Sequence, residues 1–122
     1  MAEERRREKV NLLIRDELAN IINKEIELPK GTLVTVTRIV SSPDLYYADA
    51  FVTVFPKKEA DVMRLLERNV ALIQGLLNKQ LRMRPVPRIQ FKIDMEEKNR
   101  ERIEKLLHDI SEETHDSESP ES

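Results

Sequence analysis

The sequence predicts an α+β fold of two layers, in which helices cover one face of a three-stranded sheet. Three observations predict it. Apolar residues recur at helical spacing in three stretches and at strand spacing between them, and Pro, Gly and Ser fall where the period changes. The order is helix, strand, strand, long helix, strand, short helix, which assembles as two packed layers. With 122 residues the chain suits one domain. Aromatics are 4% of it and charged residues 36%, so the core joining the layers must be aliphatic.

The first helix is expected over residues 8–28, where Val10, Leu13, Ile14, Leu18, Ile21, Ile22 and Ile26 recur at steps of three and four. Leu28-Pro29-Lys30-Gly31 stops it, because proline lacks the next amide and glycine tolerates the turn. Residues 33–40 are rich in Val, Thr and Ile, which suit a pleated surface. Ser41-Ser42-Pro43-Asp44 is a turn, and residues 46–55 form a second strand antiparallel to the first. Ala48, Ala50, Val52 and Val54 share one face of it; Tyr47, Asp49, Phe51 and Thr53 share the other. Pro56 closes that strand.

A long helix follows over residues 59–81 through Val62, Leu66, Val70, Ile73 and Leu77, with Asn69 and Gly75 as its weak points. Pro85 and Pro87 lead into a third strand, residues 88–95. Ile89, Phe91, Ile93 and Met95 alternate with Arg88, Gln90, Lys92 and Asp94, the pattern of a sheet with one covered and one wet face. Asp94 with Glu97 has the spacing of a capped helix start. Ile103, Leu106, Leu107 and Ile110 give that short helix a narrow stripe. The folded domain is therefore expected over residues 1–110, and residues 111–122 are expected to form a disordered acidic tail.

The net charge of −2 hides an asymmetry. Residues 111–122 hold five acids and no Lys or Arg, and without them the chain has 21 basic and 18 acidic residues. From residue 68 to residue 93 there are Arg68, Lys79, Arg82, Arg84, Arg88 and Lys92 and no Asp or Glu. Phosphate binding depends on such local fields rather than on total charge. Arginine forks suit phosphate oxygens and stack on bases. Tyr47 and Phe51 share the wet face and could each hold a base, although burial against neighbouring side chains is the commoner role for a strand aromatic.

Other classes find no support. Only Gly31 and Gly75 are present, so neither a Walker loop nor a dinucleotide fingerprint can be built. The histidines, His108 and His115, lie near or in the tail, and no cofactor, metal or catalytic set is expected. No cysteine is present, which excludes disulfides and thiolate metal sites and fits a reducing compartment. Met1-Ala2-Glu3-Glu4-Arg5-Arg6-Arg7 has no apolar run behind it, so neither a secretory signal nor a membrane anchor is expected. A binding protein of the cytoplasm remains, with no enzymatic activity expected.

Two blocks then resemble a known family. Thr35-Val36-Thr37-Arg38-Ile39-Val40-Ser41-Ser42-Pro43-Asp44-Leu45-Tyr46-Tyr47-Ala48 with Val52-Thr53-Val54-Phe55 resembles the hairpin of ribosome-binding factor A. Leu76-Leu77-Asn78-Lys79-Gln80-Leu81-Arg82-Met83-Arg84-Pro85-Val86-Pro87-Arg88-Ile89-Gln90-Phe91 resembles that family's approach to its last strand. The resemblance implies a type II KH-like fold of order α-β-β-α-α-β. It also implies a monomer that binds the 30S ribosomal subunit and 16S rRNA during late maturation, linked to growth in the cold and often working alongside assembly GTPases. The family's Ala-x-Gly kink falls on Asn69-Val70-Ala71, which departs from the pattern at the glycine. The candidate RNA-binding residues are Arg68, Lys79, Arg82, Arg84, Arg88 and Lys92 from the basic window, with Asn69 and Ala71 added by the kink that the resemblance implies. The competing readings are a protein-interaction adaptor and, without any motif to support it, a small metal-dependent nuclease.

Overall fold

The computed structural model describes residues 2–56 and 58–118. Its elements are α1 (Ala2–Glu25), β1 (Leu33–Ser41), β2 (Tyr47–Phe55), α2 (Glu59–Arg68), α3 (Val70–Gln80), β3 (Arg88–Ile93) and α4 (Met95–Glu118). Up to β3 this is the α-β-β-α-α-β order implied by the resemblance.

Helix α1 starts ahead of its apolar period, at Ala2, because the intervening residues are mostly good helix formers and Glu3 and Glu4 favour the positive end of the helix dipole. It ends at Glu25, short of the expected residue 28. The chain then turns at Pro29-Lys30-Gly31-Thr32, where the Thr32 amide donates to the Pro29 carbonyl at 3.1 Å. Gly31 has a φ of 76°, a conformation that a side chain would strain.

β1 and β2 pair antiparallel, with Thr37 as an extra residue where the register shifts between Val36 and Arg38. β3 joins the far side of β2 in parallel, giving the order β1-β2-β3. A parallel neighbour needs a long return connection, which α2 and α3 supply. α1 packs on β1 and α3, while α2 and α3 pack on β3. Ile14, Leu18 and Ile22 of α1 meet Val62, Leu66, Ile73 and Leu77 of the other two helices in one core with Val36, Val52, Ile89 and Phe91. Each large aliphatic side chain so buried contributes about 1.5–3 kcal/mol. The small Ala48 and Ala50 stand on the covered face of the central strand and let the helices approach it.

The helical period over residues 59–81 spans two helices, broken at Asn69 (φ −102°, ψ 10°), the weak point on which the resemblance placed the kink, and not at Gly75. The Asn69 amide is shared between the Leu65 and Leu66 carbonyls, and its side-chain Nδ2 donates to Leu65 O at 2.8 Å. Those bonds replace the ladder lost at the break. The third strand ends at Ile93 rather than residue 95, so Asp94 is buried and Met95 exposed, the reverse of their expected faces. The chain leaves the sheet there to begin α4, and the alternation lapses.

Helix α4 is long rather than short. It runs to Glu118, into the stretch from residue 111 expected to be without structure. No Pro or Gly interrupts the chain between Asp94 and Pro120, so the helix meets no breaker over that length. Residues 98–111 of α4 are exposed, including the stripe Ile103, Leu106, Leu107 and Ile110. The last four residues lie outside the described ones. No helix among the described residues is long and apolar enough to cross a membrane.

Gly75 sits inside α3, exposed, and a Cβ built there meets nothing within 4 Å. Gly75→Ala should therefore stabilise the fold by about 0.5–1 kcal/mol. The check is a higher urea midpoint at unchanged slope; a lower midpoint would mean that α3 needs its glycine.

Candidate nucleic-acid interface

The basic window begins at the break between α2 and α3. Arg68 is exposed there, beside Leu28 and Pro29 at the end of α1. Ala71 is exposed in ordinary helix on the first turn of α3. Lys79 closes α3, and Arg82, Arg84 and Arg88 follow on the connection and the first residue of β3, all exposed. Met83 and Arg84 border a groove with Arg6, Arg7 and Val10 of α1 and Pro43 and Leu45 of the hairpin turn; Glu3 and Glu4 also line it. Arg68 and Arg84 thus lie by opposite ends of α1, about 25–30 Å apart along that helix. The structure gathers Lys79, Arg82, Arg84 and Arg88 along one stretch and sets Arg68, Asn69 and Ala71 apart.

The connection is held from beneath. Gln74 of α3 donates from Nε2 to the Pro87 carbonyl at 3.0 Å and accepts the Ile89 amide on Oε1 at 2.9 Å. One side-chain amide thereby satisfies the outer edge of β3 as a neighbouring strand would. Pro87 is buried, and Arg84 Nη1 donates to the carbonyls of Leu81 (3.2 Å) and Met83 (2.7 Å). The exposed arginines stand on backbone fixed by these bonds. Nothing in the sequence marks Gln74 for this part; it is one polar residue on a helix.

On the open face of the sheet the cations differ in what neutralises them. Lys92 Nζ pairs with Asp49 Oδ2 at 3.0 Å. Arg38, which the sequence reading passed over, lies 4.0 Å above the Phe51 ring. It reaches Asp94 Oδ2 at 3.3 Å and Glu96 Oε2 at 3.7 Å. That occupies the Phe51 ring with a neighbouring side chain rather than leaving it to a base. Arg38 and Phe51 meet because they are register partners just beyond the extra residue at Thr37. Arg88 has no acidic partner among the described residues.

Asp94 ties the face together. Its Oδ1 accepts the Glu97 amide at 3.0 Å, the N-cap expected from the sequence. Its Oδ2 accepts the Thr37 hydroxyl at 2.5 Å, across the central strand. Burial pushes its pKa up, but the hydrogen bonds from Thr37 and Glu97 and the Arg38 charge outweigh that and hold it below its ordinary 3.8. Among the described residues no group of His, Asp and Glu is arranged to hold a metal ion.

The sequence profile of ribosome-binding factor A matches residues 6–107. A protein of that name from Thermomicrobium roseum is 33% identical over 108 residues, 87% of this chain and 84% of that protein. The crystal structure of ribosome-binding factor A from Thermus thermophilus superposes with a TM-score of 0.63 at 25% identity, covering 70% of this chain and 92% of that one. A homology model of the same Thermus thermophilus factor, fitted into the cryo-electron-microscopy map of a 30S complex, gives 0.60 at 28% identity, over 67% and 88% of the two chains.

Because the folded state lowers the pKa of Asp94, ionised Asp94 contributes stability above pH 3.8 that is lost as the pH falls through its lower folded value. Asp94→Asn should lower stability near neutral pH by about 1–2 kcal/mol through the weakened cap and the lost charge. The difference should shrink as the pH falls below 3.8. Urea titrations at pH 7 and at acid pH test this; a deficit that is the same at both would show that ionisation has no part in it.

Proposed function

The chain belongs to the ribosome-binding factor A family, and on that premise we propose that it binds the 30S ribosomal subunit and its 16S rRNA in the cytoplasm and assists late maturation of that subunit, including 16S rRNA processing. It acts by binding, without catalysis. The observation that carries this reading is the exposed arginine run Arg82, Arg84 and Arg88, on backbone held at Pro87 and Ile89 by Gln74 and at Leu81 and Met83 by Arg84 itself. Preset cations lose little freedom on meeting phosphates, so more of the interaction shows as affinity. The relative fitted into a 30S complex supports the choice of partner.

Lys79, Arg82, Arg84 and Arg88 are proposed to carry the main RNA contact. Arg68, Asn69 and Ala71 form a second, separate contact, and Lys92 contributes less because Asp49 pairs with it. The folded unit of this reading is residues 1–110, and the acidic residues 111–122 stand outside the contact and compete with RNA for the basic run. A second reading rests on the exposed stripe Ile103, Leu106, Leu107 and Ile110, which suits a protein contact instead. Salt separates the two: phosphate contacts weaken steeply as salt rises, whereas apolar contacts do not.

Replacing Arg82, Arg84 and Arg88 by Ala should weaken co-sedimentation with 30S particles. Each lost phosphate contact should reduce the slope of log affinity against log salt by about one unit. Arg82 and Arg88 contribute only about 0.5 kcal/mol each to folding and Arg84 about 1 kcal/mol more through its bonds to the Leu81 and Met83 carbonyls, so the variant should stay folded. A folded triple variant that co-sediments as the parent does over the same salt range would place the RNA elsewhere, at Asn69–Ala71 or Arg5–Arg7. Deleting residues 111–122 should leave the Tm unchanged and tighten non-specific RNA binding; a drop of several degrees would make that stretch part of the fold. Cleavage of rRNA in magnesium that copurifies with the chain would overturn the non-catalytic assignment.

A further inference from the structure

The chain has two tyrosines and no tryptophan, and both tyrosines stand side by side at one end of the sheet. Tyr46 is 55% exposed and Tyr47 61% exposed. A single exposed aromatic is ordinary. Here an adjacent pair is left in water although aromatics are scarce and the core has none to spare beyond Phe91. Among the described residues neither phenol hydroxyl has a hydrogen-bond partner.

The backbone beneath the pair is fixed. Asp44 Oδ1 accepts the Tyr46 amide at 3.0 Å and the Ser42 hydroxyl at 2.6 Å. Ser42 N donates to Tyr47 O at 2.8 Å, and Leu45 N donates to Ser42 O at 2.9 Å. The Arg88 amide donates to Tyr46 O at 2.8 Å, and Arg88 is the register partner of Tyr47 on the neighbouring strand. In a parallel ladder such partners lie about 4.8 Å apart and present their side chains to the same face.

That neighbour decides what the pair can take. On the open face Lys92 is neutralised by Asp49, and Arg38 by Asp94 and Glu96, while Phe51 is covered by Arg38. Tyr47 and Phe55 are the exposed rings of β2, and Tyr47 is the one whose register partner is an unneutralised cation, Arg88. An aromatic face next to a free guanidinium matches one nucleotide, base on ring and phosphate on fork. The base must be unpaired. In A-form duplex the base faces are buried in the stack, and only sugars, phosphates and groove edges can be reached.

We propose that Tyr47 and Arg88 form a binding site for an unpaired RNA segment, with a base stacked on Tyr47 and an adjoining phosphate held by Arg88. The proposal rests on the reading of the chain as an RNA-binding ribosomal factor and names the form of RNA that this end of the sheet accepts. Duplex RNA would meet Arg82 and Arg84 but gain nothing from the rings.

The full chain should be titrated with a mixed-sequence 12-nucleotide single strand and, separately, with the same sequence as a duplex. Tyr47→Ala should weaken single-strand binding about tenfold and leave duplex binding unchanged, while Tyr47→Phe keeps the parent affinity. Arg88→Ala should lower the salt slope for the single strand by about one unit. The ring protons of Tyr47, assigned by comparison with the Tyr46→Ala and Tyr47→Ala chains, should shift upfield on adding the single strand. Equal affinities of the parent and Tyr47→Ala chains for the single strand, or unmoved Tyr47 ring protons at saturation, overturn the proposal. Co-sedimentation of the parent with 30S particles is measured alongside. Its failure overturns the ribosomal reading, while the oligonucleotide titration judges the tyrosine site by itself.

Discussion

The parallel pairing of β3 against β2 is the constraint on which the rest of the molecule depends. A third strand added to the hairpin in that sense cannot follow directly from β2. The chain must first return to the far end of the sheet, and α2 and α3 make that return while covering the sheet. The pairing starts at Tyr47↔Arg88, so it brings the end of the arginine-bearing connection against the start of the tyrosine-bearing strand. At its other end the Asp94 amide still bonds to Val52 O, which delivers the Asp94 carboxylate to Thr37 and Arg38. Gln74 takes up the Ile89 amide on the remaining edge. Both ends of β3 are therefore joints of the structure, although the strand itself is only Arg88–Ile93.

The open face of the sheet divides its charges by position. In the region of Asp94, cations, acids and the Phe51 ring satisfy one another, and the outcome is structural: β1 is tied to the start of α4 across the central strand. Around Tyr47 and Arg88 the side chains have no such partners among the described residues. Internally neutralised charge contributes little to binding a polyanion, because its release would first cost the pair it already makes. Counting Lys and Arg along the sequence weights Lys92 and Arg88 equally; the folded face does not.

Nucleic-acid recognition needs both a field and a fixed geometry. The field comes from the acid-free stretch of sequence. In the proposed contact the geometry comes from hydrogen bonds to side chains that are not themselves cations: the Gln74 amide under the connection, the Asp44 carboxylate and Ser42 hydroxyl under the hairpin turn. Leu45, at a φ of 62°, is held in the left-handed region within that turn. A leucine there is strained by its Cβ, so the surrounding bonds must over-determine the turn.

Local patterns determined much of this protein. The alternation in β2 named the faces of Ala48, Ala50, Tyr47 and Phe51 correctly, because side chains alternate whatever a strand pairs with. The Asp94 cap and the hairpin were equally legible, since each is decided within a few residues. The break at Asn69 was legible only as one of two weak points and as the kink that the resemblance placed there. The apolar period runs unbroken from Val62 to Leu77, and one non-helical residue shifts its phase too little to show. Gly75 was an equal candidate, yet α3 runs through it with Ile73 and Leu77 buried on either side. The reversal of Asp94 and Met95, the covering of Phe51 by Arg38 and the part played by Gln74 each join residues between 13 and 57 positions apart. Only the folded chain decides those, because a polar group finds its partner in three dimensions, after the strands have chosen their neighbours.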